Sequence, residues 1–303
     1  MEIIKNISII CTSIFLEAIP FLLLGSLISA IIERYVSDEL LAKIIPKNIF
    51  LGSIFGIFLG FFLPACDCAV IPVSRRLIKK RVPLNVAISF MLASPIINPV
   101  VLLSTYSAFY TTNPQMFWFR MIFGILVALV IGVVMKFIFK NKPVLKDEHF
   151  HEHCHHHEHC HSHHHEKGIK NDIKFIFEHT ALDVYDIIKF LIIGALIASI
   201  IQVLLPREIL TVFESNNYLS IIVLMMFAYF ISLCSTTDSF VGKSLLTSFS
   251  NNSVLAYLLL GPMIDIKNTI VLLGNYNKKF VLILISLIFT VIFISCLLLG
   301  GII

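Results

Sequence analysis

The feature that most constrains this chain is a series of eight long apolar segments, none of which holds more than two charged residues. They are Ile7–Ile32, Ile49–Ser74, Leu84–Tyr110, Met121–Met135, Ile187–Leu205, Leu219–Val241, Val254–Gly274 and Phe280–Ile303. A helix that crosses the hydrocarbon core of a bilayer needs roughly 20 mostly apolar residues. Open strands cannot cross lipid, because their backbone groups would stay unpaired. The segments therefore predict an all-α polytopic membrane protein with about eight transmembrane helices, some of them broken or re-entrant.

The composition agrees with a location in the lipid bilayer. Hydrophobic residues make up 57% of the chain and charged residues only 14%, whereas a soluble domain carries roughly 25% charged residues. The net charge of +4 is modest, and the basic residues lie between the apolar segments. They therefore determine the orientation in the membrane, and a nucleic-acid partner is excluded. We expect a multi-pass protein of the bacterial plasma (inner) membrane.

Basic residues also predict which loops face the cytoplasm. Five of the seven residues in Arg75–Arg81 are Lys or Arg, which marks this loop as cytoplasmic. The loop Thr111–Phe119 has no Lys or Arg and is expected outside. Eight spans would place both chain ends in the cytoplasm. They would also leave Lys278 and Lys279 outside, against the rule.

The two halves of the chain resemble each other at an offset of about 168 residues. The matched pairs are Glu17 with Asp186, Cys66 with Cys234, Arg75 with Lys243, Ser94-Pro95 with Gly261-Pro262, and Asn98 with Asp265. Internal repeats are typical of transporters, whose substrate sites lie where the repeats meet. Four spans in each half would make the repeats parallel, and a hidden re-entrant piece would make them inverted. The predicted units are a first repeat at 1–140, a loop at 141–178 and a second repeat at 179–303.

The second apolar segment contains two cysteines on either side of an aspartate. Cys66, Asp67 and Cys68 lie between Pro64 and Pro72. Because proline interrupts helical hydrogen bonding, this stretch is expected to be unwound or kinked, as at many transporter sites. Thiolates are soft ligands that suit Cu(I), Zn(II) or a trivalent metalloid. The alternative is that two small buried cysteines pack a helix bend.

Further polar residues inside apolar segments complete a candidate substrate path. Segment six holds Cys234 and Asp238, and prolines interrupt segments three and seven beside Asn98 and Asp265. Charged groups at membrane depth are costly and are usually functional. Lys267 is either a counter-ion or a side chain that reaches the surface. The candidate substrate-path residues are Glu17, Cys66, Asp67, Cys68, Ser94, Asn98, Cys234, Asp238 and Asp265.

These motifs resemble those of a known family, the predicted permeases of the ArsP/YraQ type, also called UPF0718 proteins. The resemblance rests on Pro64-x-Cys66-x-Cys68-x-x-x-Pro72, on the basic loop Arg75–Arg81 and on Ser94-Pro95-x-x-Asn98-Pro99. It implies a permease with Cys66 and Cys68 in its substrate path, related to exporters of trivalent organoarsenicals and to copper or zinc efflux proteins. Asp67 stands where the arsenical branch is expected to have a small residue, which favours a cationic metal.

A histidine-rich tract fills the polar loop between the halves. It contains eleven of the twelve histidines and two cysteines: His149, His151, His153, Cys154, His155, His156, His157, His159, Cys160, His161, His163, His164 and His165. Neutral imidazoles bind Zn(II), Ni(II) or Cu ions, and the degenerate spacing predicts several weak sites. We expect a disordered cytoplasmic loop that collects or senses metal. The alternative is a passive linker, and no cofactor is required for the protein as a whole.

Together the patterns favour a permease that exports a soft or borderline metal or metalloid. No nucleotide-binding motif is present in the sequence, so transport would be secondary, with a proton as a possible coupling ion. One alternative is a metal-sensing or scaffold membrane protein without transport activity. Another is an intramembrane thiol enzyme, which is disfavoured because the apolar segments hold no histidine to serve as a base. We therefore predict that the chain is not an enzyme.

Overall fold

The computed structural model of the protein describes residues 2–62, 67–140, 142–146, 169–204 and 217–299. In these ranges the fold is helical, and Leu145 and Tyr276 form an isolated antiparallel bridge. The helices are α1 Glu2–Tyr35, α2 Asp38–Ile44, α3 Ile49–Phe62, α4 Asp67–Lys79, α5 Leu84–Ile97, α6 Pro99–Phe109, α7 Gln115–Ile138, α8 Ile169–Leu204, α9 Asn217–Ile231, α10 Ser235–Leu245, α11 Asn251–Met263, α12 Ile266–Asn275 and α13 Lys278–Leu299.

Six stretches of the described residues are long and apolar enough to cross a membrane. They are Glu2–Tyr35, Leu84–Phe109, Gln115–Ile138, Asp172–Leu204, Asn251–Asn275 and Lys278–Leu299. The all-α polytopic prediction is thus confirmed. The two remaining apolar segments of the sequence correspond to the short helix pairs α3/α4 and α9/α10.

Helices α3 and α4 form a re-entrant hairpin. Helix α3 runs parallel to α5, because the Asn85 amide donates to the carbonyl of Ile49 (2.9 Å) near the start of both helices. Near their ends, the Ser94 hydroxyl donates to the carbonyl of Gly60 (3.3 Å). Since α5 starts at the face where α3 starts, α4 must return the chain to that face. The segment therefore enters and leaves the membrane on one side.

Helices α9 and α10 form the equivalent hairpin in the second half. The hydroxyls of Ser220 in α9 and Ser253 in α11 lie 2.6 Å apart, near the beginning of both helices. The rings of Phe227 and Tyr257 lie 6.0 Å apart further along, so α9 and α11 are parallel. Helix α10 runs back alongside α11, with Asp238 hydrogen-bonded to Tyr257. Each half therefore has three spans and one hairpin.

An odd number of spans in each half makes the repeats inverted. Helices α1 and α8 occupy equivalent positions in the two halves and run antiparallel. Arg34, near the end of α1, pairs with Asp172 near the start of α8, whereas Ser29, which comes earlier in α1, donates to Asp183, which comes later in α8. The two halves are related by a pseudo-two-fold axis in the membrane plane. The structure has six candidate spans in its described residues, not about eight. Hydropathy indicated the higher number because a hairpin of apolar helices has the same hydropathy as a span.

The basic segments lie at one face, which we call the basic face. The Ser74 hydroxyl at the end of α4 lies 2.8 Å from the Tyr276 hydroxyl, and the Lys146 amide donates to Asn275 (3.2 Å). Lys278 and Lys279 therefore lie on the same side as Arg75–Arg81. The expectation that they lie outside was wrong, because it assumed eight spans. The positive-inside rule assigns the basic face to the cytoplasm.

The same geometry relocates the outer helix ends and the boundary of the second repeat. The N-terminal end of α1 and the C-terminal end of α13 lie at the face opposite the basic one, not in the cytoplasm as predicted. Helix α8 begins at Ile169, inside the segment predicted as loop 141–178. Its first turns are held by charged partners on α1, a tertiary contact that hydropathy does not register. The histidine-rich tract lies outside the described residues, and Lys146 and Ile169 flank it at the basic face.

Two of the spans are interrupted at equivalent places. Helices α5 and α6 meet at Asn98, whose Oδ1 accepts the Val100 N–H (3.0 Å). Helices α11 and α12 meet at Ile264 and Asp265, and Asp265 Oδ1 accepts the Asn268 N–H (2.6 Å). Both side chains cap the helix that follows, which satisfies backbone donors that have no intrahelical partner. The predicted breaks are confirmed.

Candidate transport site

Four helices begin in the interior of the protein, and their N-terminal ends converge. Helices α6 and α10 run side by side away from the basic face, with the Ser104 hydroxyl donating to the Thr236 carbonyl (2.8 Å). Helices α4 and α12 run side by side toward it, with the Cys68 thiol 3.6 Å from the Asn268 amide oxygen. Helix N-termini carry partial positive charge, which favours carboxylates at these positions. Half-helices that end at the midplane are typical of transporter sites.

Equivalent residues of the two repeats meet where the two hairpins touch. The Ser235 hydroxyl donates to Oδ1 of Asp67 at 2.6 Å, and both residues are buried. They stand 168 residues apart, which is the offset of the internal duplication. The pseudo-two-fold axis therefore passes between Asp67 and Ser235.

A cavity of about 180 Å³ adjoins this contact. Its polar lining comes from both repeats and comprises Glu17, Asp67, Cys68, Asn98, Cys234, Ser235, Thr236 and Lys267. The apolar lining includes Ile14 and Phe21 of α1 and Val100 of α6. The cavity thus combines two thiols, two carboxylates, an amide and an ammonium group. Such a set can bind a cation with soft or borderline character.

The cavity lies on the side of the site that faces away from the basic face. One wall is the middle of α1, at Ile14, Ala18 and Phe21. Toward the basic face the same helix packs directly on α4: a Cβ at Gly25 would lie 2.6 Å from the Ala69 carbonyl oxygen. The site is therefore closed toward the basic face.

Charged side chains reinforce this closure at the basic face. Arg76 at the end of α4 pairs with Glu33 of α1 (2.8 Å) and with Asp183 of α8 (2.9 Å). Arg34 of α1 pairs with Asp172 of α8. One hairpin helix and the two equivalent spans are thereby joined by an ionic cluster, which we call the Arg76 cluster (Glu33, Arg34, Arg76, Asp172 and Asp183).

The two described thiols of the cavity have different surroundings. Cys234 caps α10, with its sulfur accepting the Thr237 N–H (3.4 Å), and Glu17 lies beside it. Cys68 is buried in the first turn of α4, next to Asn268 of α12. Both thiols lie at helix N-termini. Each repeat therefore supplies one thiol to the same cavity.

A fully buried arginine, which the sequence analysis did not select, lies behind the cavity. Arg120 of α7 donates to the hydroxyls of Thr105 (2.6 Å) and Ser239 (2.7 Å) and to the Ser235 carbonyl (3.4 Å). It interacts electrostatically with Asp238. The available signal was its position at the start of an apolar segment, where an ionisable residue suggests a functional or structural role.

The remaining charged residues form a second buried pair. Lys267 Nζ lies 3.5 Å from Asp265 Oδ2, and both side chains are almost inaccessible. Of the two roles considered for Lys267, the structure shows the counter-ion. Asp238 lies behind the cavity, where its Oδ1 accepts the Tyr257 hydroxyl (3.0 Å).

The structure thus brings most of the predicted path residues together. Glu17, Asp67, Cys68, Asn98 and Cys234 line the cavity, and Asp265 adjoins it through Lys267. Ser94 is not among the lining residues, because its hydroxyl bonds the backbone of α3. Cys66 and the His/Cys residues of the tract lie outside the described residues. Within the described ranges, no group of three or more His, Cys, Asp or Glu side chains is arranged so that it could hold a metal ion.

Comparison with known proteins agrees with this architecture. The chain is 39% identical over 290 residues to the UPF0718 protein YcgR of Bacillus subtilis (strain 168), covering 95% of each chain. It is 37% identical over 292 residues to a putative two-component membrane permease complex subunit of Streptococcus mutans serotype c, covering 95% of this chain and 93% of the relative. No solved structure matches. The ArsP_1 family, described as "Predicted permease", matches residues 3–301, and the chain belongs to this permease family.

Proposed function

We propose that this permease exports a soft or borderline metal or metalloid cation through the cavity between its hairpins. The observation that carries the proposal is the placement of Cys68 and Cys234, one from each repeat, in the lining of a single cavity with Asp67 and Glu17. Thiols suit Cu(I), Zn(II) and trivalent arsenic, and carboxylates are further ligands for Zn(II). Cys66, which precedes Asp67 directly, is the third thiol of the proposed substrate path.

Inverted repeats offer a route for the cargo. Two equivalent halves can exchange conformations, so that a site closed at one face opens there as it closes at the other. In the conformation described, the Arg76 cluster closes the basic face and the cavity lies on the other side. This is the conformation in which an exporter releases its cargo. A proton returning through Glu17 or Asp67 is the proposed coupling step.

The histidine-rich tract at 149–165 has a proposed role in collecting the cargo. Its flanks lie at the basic face, so metal bound there would be held close to the entrance of an exporter. Imidazole and thiol ligands match the metal classes proposed for the cavity. An exporter benefits from such a collector on the side from which it loads.

The test is metal accumulation in native cells that lack the gene and are complemented with variants. Native cells are used because the Streptococcus mutans relative is named as a complex subunit. Wild type is compared with Cys68→Ser and Cys234→Ser for zinc, copper, cadmium, arsenite and methylarsenite. Cys296→Ser is the matched control, because this thiol is buried in α13 and is not among the residues that line the cavity.

We expect wild type and Cys296→Ser to lower the cell content of one of these elements, and both cavity variants to lose that effect. If wild type changes none of them, export of these ions is excluded. If the activity of a partner protein then changed with metal although no metal was transported, the sensing or scaffold role would be supported. Equal activity of the cavity variants and wild type would contradict the proposed binding site.

A further inference from the structure

We propose that Lys267 is a tethered competitor cation: its ammonium group occupies the carboxylate site that the cargo cation must take, and so limits the affinity for cargo. The inference rests on the proposed function of the cavity. It assigns to Lys267 the role of setting specificity and release, distinct from that of the thiols that hold the cargo.

The first observation is the position of the ammonium group. Lys267 lines the cavity, and its Nζ lies 3.5 Å from Oδ2 of Asp265. Asp265 uses Oδ1 to cap α12, while Oδ2 accepts no hydrogen bond from the described residues. Lys267 also interacts electrostatically with Asp67, which lines the same cavity. The ammonium therefore lies beside the carboxylate oxygen of Asp265 that a metal cation would use and within electrostatic reach of a second carboxylate.

The second observation is that, at the equivalent helix break, the first repeat uses uncharged residues. Asn98 is the equivalent of Asp265 and caps α6 through its amide oxygen. The position equivalent to Lys267 is Val100, which also lines the cavity. A neutral cap therefore suffices for this backbone geometry. Burying an ion pair costs desolvation energy that a neutral pair avoids, so the charges at Asp265 and Lys267 need a reason other than folding.

The third observation is the balance of charge around the cavity. Three carboxylates, Glu17, Asp67 and Asp265, face a single ammonium, while Arg120 and Asp238 balance each other behind them. Without Lys267 this cluster would attract a divalent cation strongly. Conduction requires binding that is strong enough to load and weak enough to release. A positive group that returns to the carboxylates as the cargo leaves meets both requirements.

The test measures Cd²⁺ binding to the purified full-length protein in detergent by titration calorimetry, in a background whose tract histidines and cysteines at 149–165 are replaced by serine, because the tract is itself expected to bind metal. Cd²⁺ is the probe because it is a soft divalent ion. We expect Lys267→Gln to bind Cd²⁺ at least about tenfold more tightly than wild type, which corresponds to about 1.4 kcal/mol. Its Cd²⁺ release into chelator should slow, whereas Lys267→Arg should stay close to wild type. Lys174→Gln, which removes an exposed positive charge of α8 at a residue outside the cavity lining, is the matched control and should bind as wild type does.

A second variant keeps the test decisive if Lys267→Gln does not fold. Val100→Lys adds an ammonium at the equivalent place, where the side chain is 56% exposed and has room for it. It should weaken Cd²⁺ binding at least about tenfold, and unchanged binding would overturn the inference. A folded Lys267→Gln protein that binds Cd²⁺ as wild type does, or more weakly, would also overturn the inference. If wild type binds Cd²⁺ through its thiols and the Lys267 variants have no effect, only this inference fails. If Cys68→Ser and Cys234→Ser leave binding unchanged, the proposed function fails as well.

Discussion

Ser235 donates a 2.6 Å hydrogen bond to Asp67, and the two residues occupy equivalent positions in repeats that run in opposite directions through the membrane. This contact joins the two re-entrant hairpins next to the cavity. It holds the Asp67 carboxylate of α4 against the start of α10. Cys68 follows Asp67 in the chain and Cys234 precedes Ser235, so each partner of the hydrogen bond has a thiol beside it. One of the contacts that join the two repeats therefore lies at the proposed cargo site itself.

Replacing Ser235 with alanine should weaken both folding and transport. The change removes a buried hydrogen bond to a carboxylate, which contributes about 1.5–3 kcal/mol. We expect a lower melting temperature in detergent and a loss of most efflux activity. Ser107→Ala is the control, because the Ser107 hydroxyl is exposed and bonds only the carbonyl of Leu103 in its own helix. A Ser235→Ala protein with wild-type stability and efflux would show that the contact is incidental.

Replacing Arg120 with leucine should be more damaging to stability. Asp238 would lose the buried cation that interacts with it electrostatically, and an uncompensated charge left inside the protein is strongly destabilising. The expected result is little folded protein after extraction, measured by size-exclusion chromatography and thermal melting. Adding Asp238→Asn to Arg120→Leu should restore part of the yield, because the uncompensated charge is removed. A double variant no better than Arg120→Leu alone would rule out the electrostatic explanation.

The class of fold could be predicted from the sequence because hydropathy reports directly on burial in lipid. The eight apolar segments are all present, and the prolines at Pro95 and Pro99 marked a true break at Asn98. What hydropathy could not reveal was direction. Ile49–Ser74 is as apolar as a span, and only the contacts of α3 with α5 show that the chain turns back. The orientation error at Lys278 followed from the same ambiguity in Leu219–Val241, whose helices α9 and α10 also turn back.

The residues of the site were easier to predict than their arrangement. Polar residues inside apolar segments are costly, so Asp67, Asp238 and Asp265 stood out without any structure. Ser94 was selected for the same reason, yet its hydroxyl serves the packing of α5 on α3. Arg120 was missed because it stands at the edge of an apolar segment, where a basic residue normally marks the membrane surface. Which partner a buried polar group finds depends on tertiary contacts.

The inverted topology predicts which loops are accessible from which side. A cysteine placed at Lys278 should react with a membrane-impermeant maleimide only from the cytoplasm, because this residue lies beside Asn275 and Lys146 at the basic face. A cysteine at Thr112, between α6 and α7, should react only from the outside. Labelling is compared in intact cells and inside-out vesicles. Reaction of both cysteines from the same side would exclude three spans per repeat.

Close packing of α3 on α5 predicts a sharp difference between two glycines. A Cβ at Gly56 would lie 2.3 Å from the carbonyl oxygen of Val86, which is backbone and cannot move alone. Gly56→Ala should therefore destabilise the protein by about 1–3 kcal/mol, as overpacking does. A Cβ at Gly52 meets the side-chain amide of Asn85 at 3.0 Å, so a shift of only a few tenths of an ångström would relieve the contact and Gly52→Ala should cost less. Thermal melting should show a larger fall in melting temperature for Gly56→Ala than for Gly52→Ala. Equal falls would contradict the packing of α3 on α5.

The Arg76 cluster should control access to the site from the cytoplasm. Arg76→Gln leaves Glu33 and Asp183 without the cation between them, so the carboxylates of α1 and α8 repel each other and α4 loses its ion pairs with both helices. In inside-out vesicles, with Cys68 as the sole cysteine, we expect a several-fold faster reaction with an impermeant maleimide. Arg76→Lys keeps the charge and should react nearly as slowly as the parent protein.

The control for this experiment is another ion pair on α8. Lys174 pairs with Glu178 one turn away, within α8 and exposed, so Lys174→Gln removes a charge without separating any helices. Its labelling rate should equal that of the parent. If Arg76→Gln also leaves Cys68 unreactive from the cytoplasm, the ionic cluster does not hold this face closed. The tight contact of Gly25 with Ala69 would then be the barrier, and widening it would require α1 itself to move.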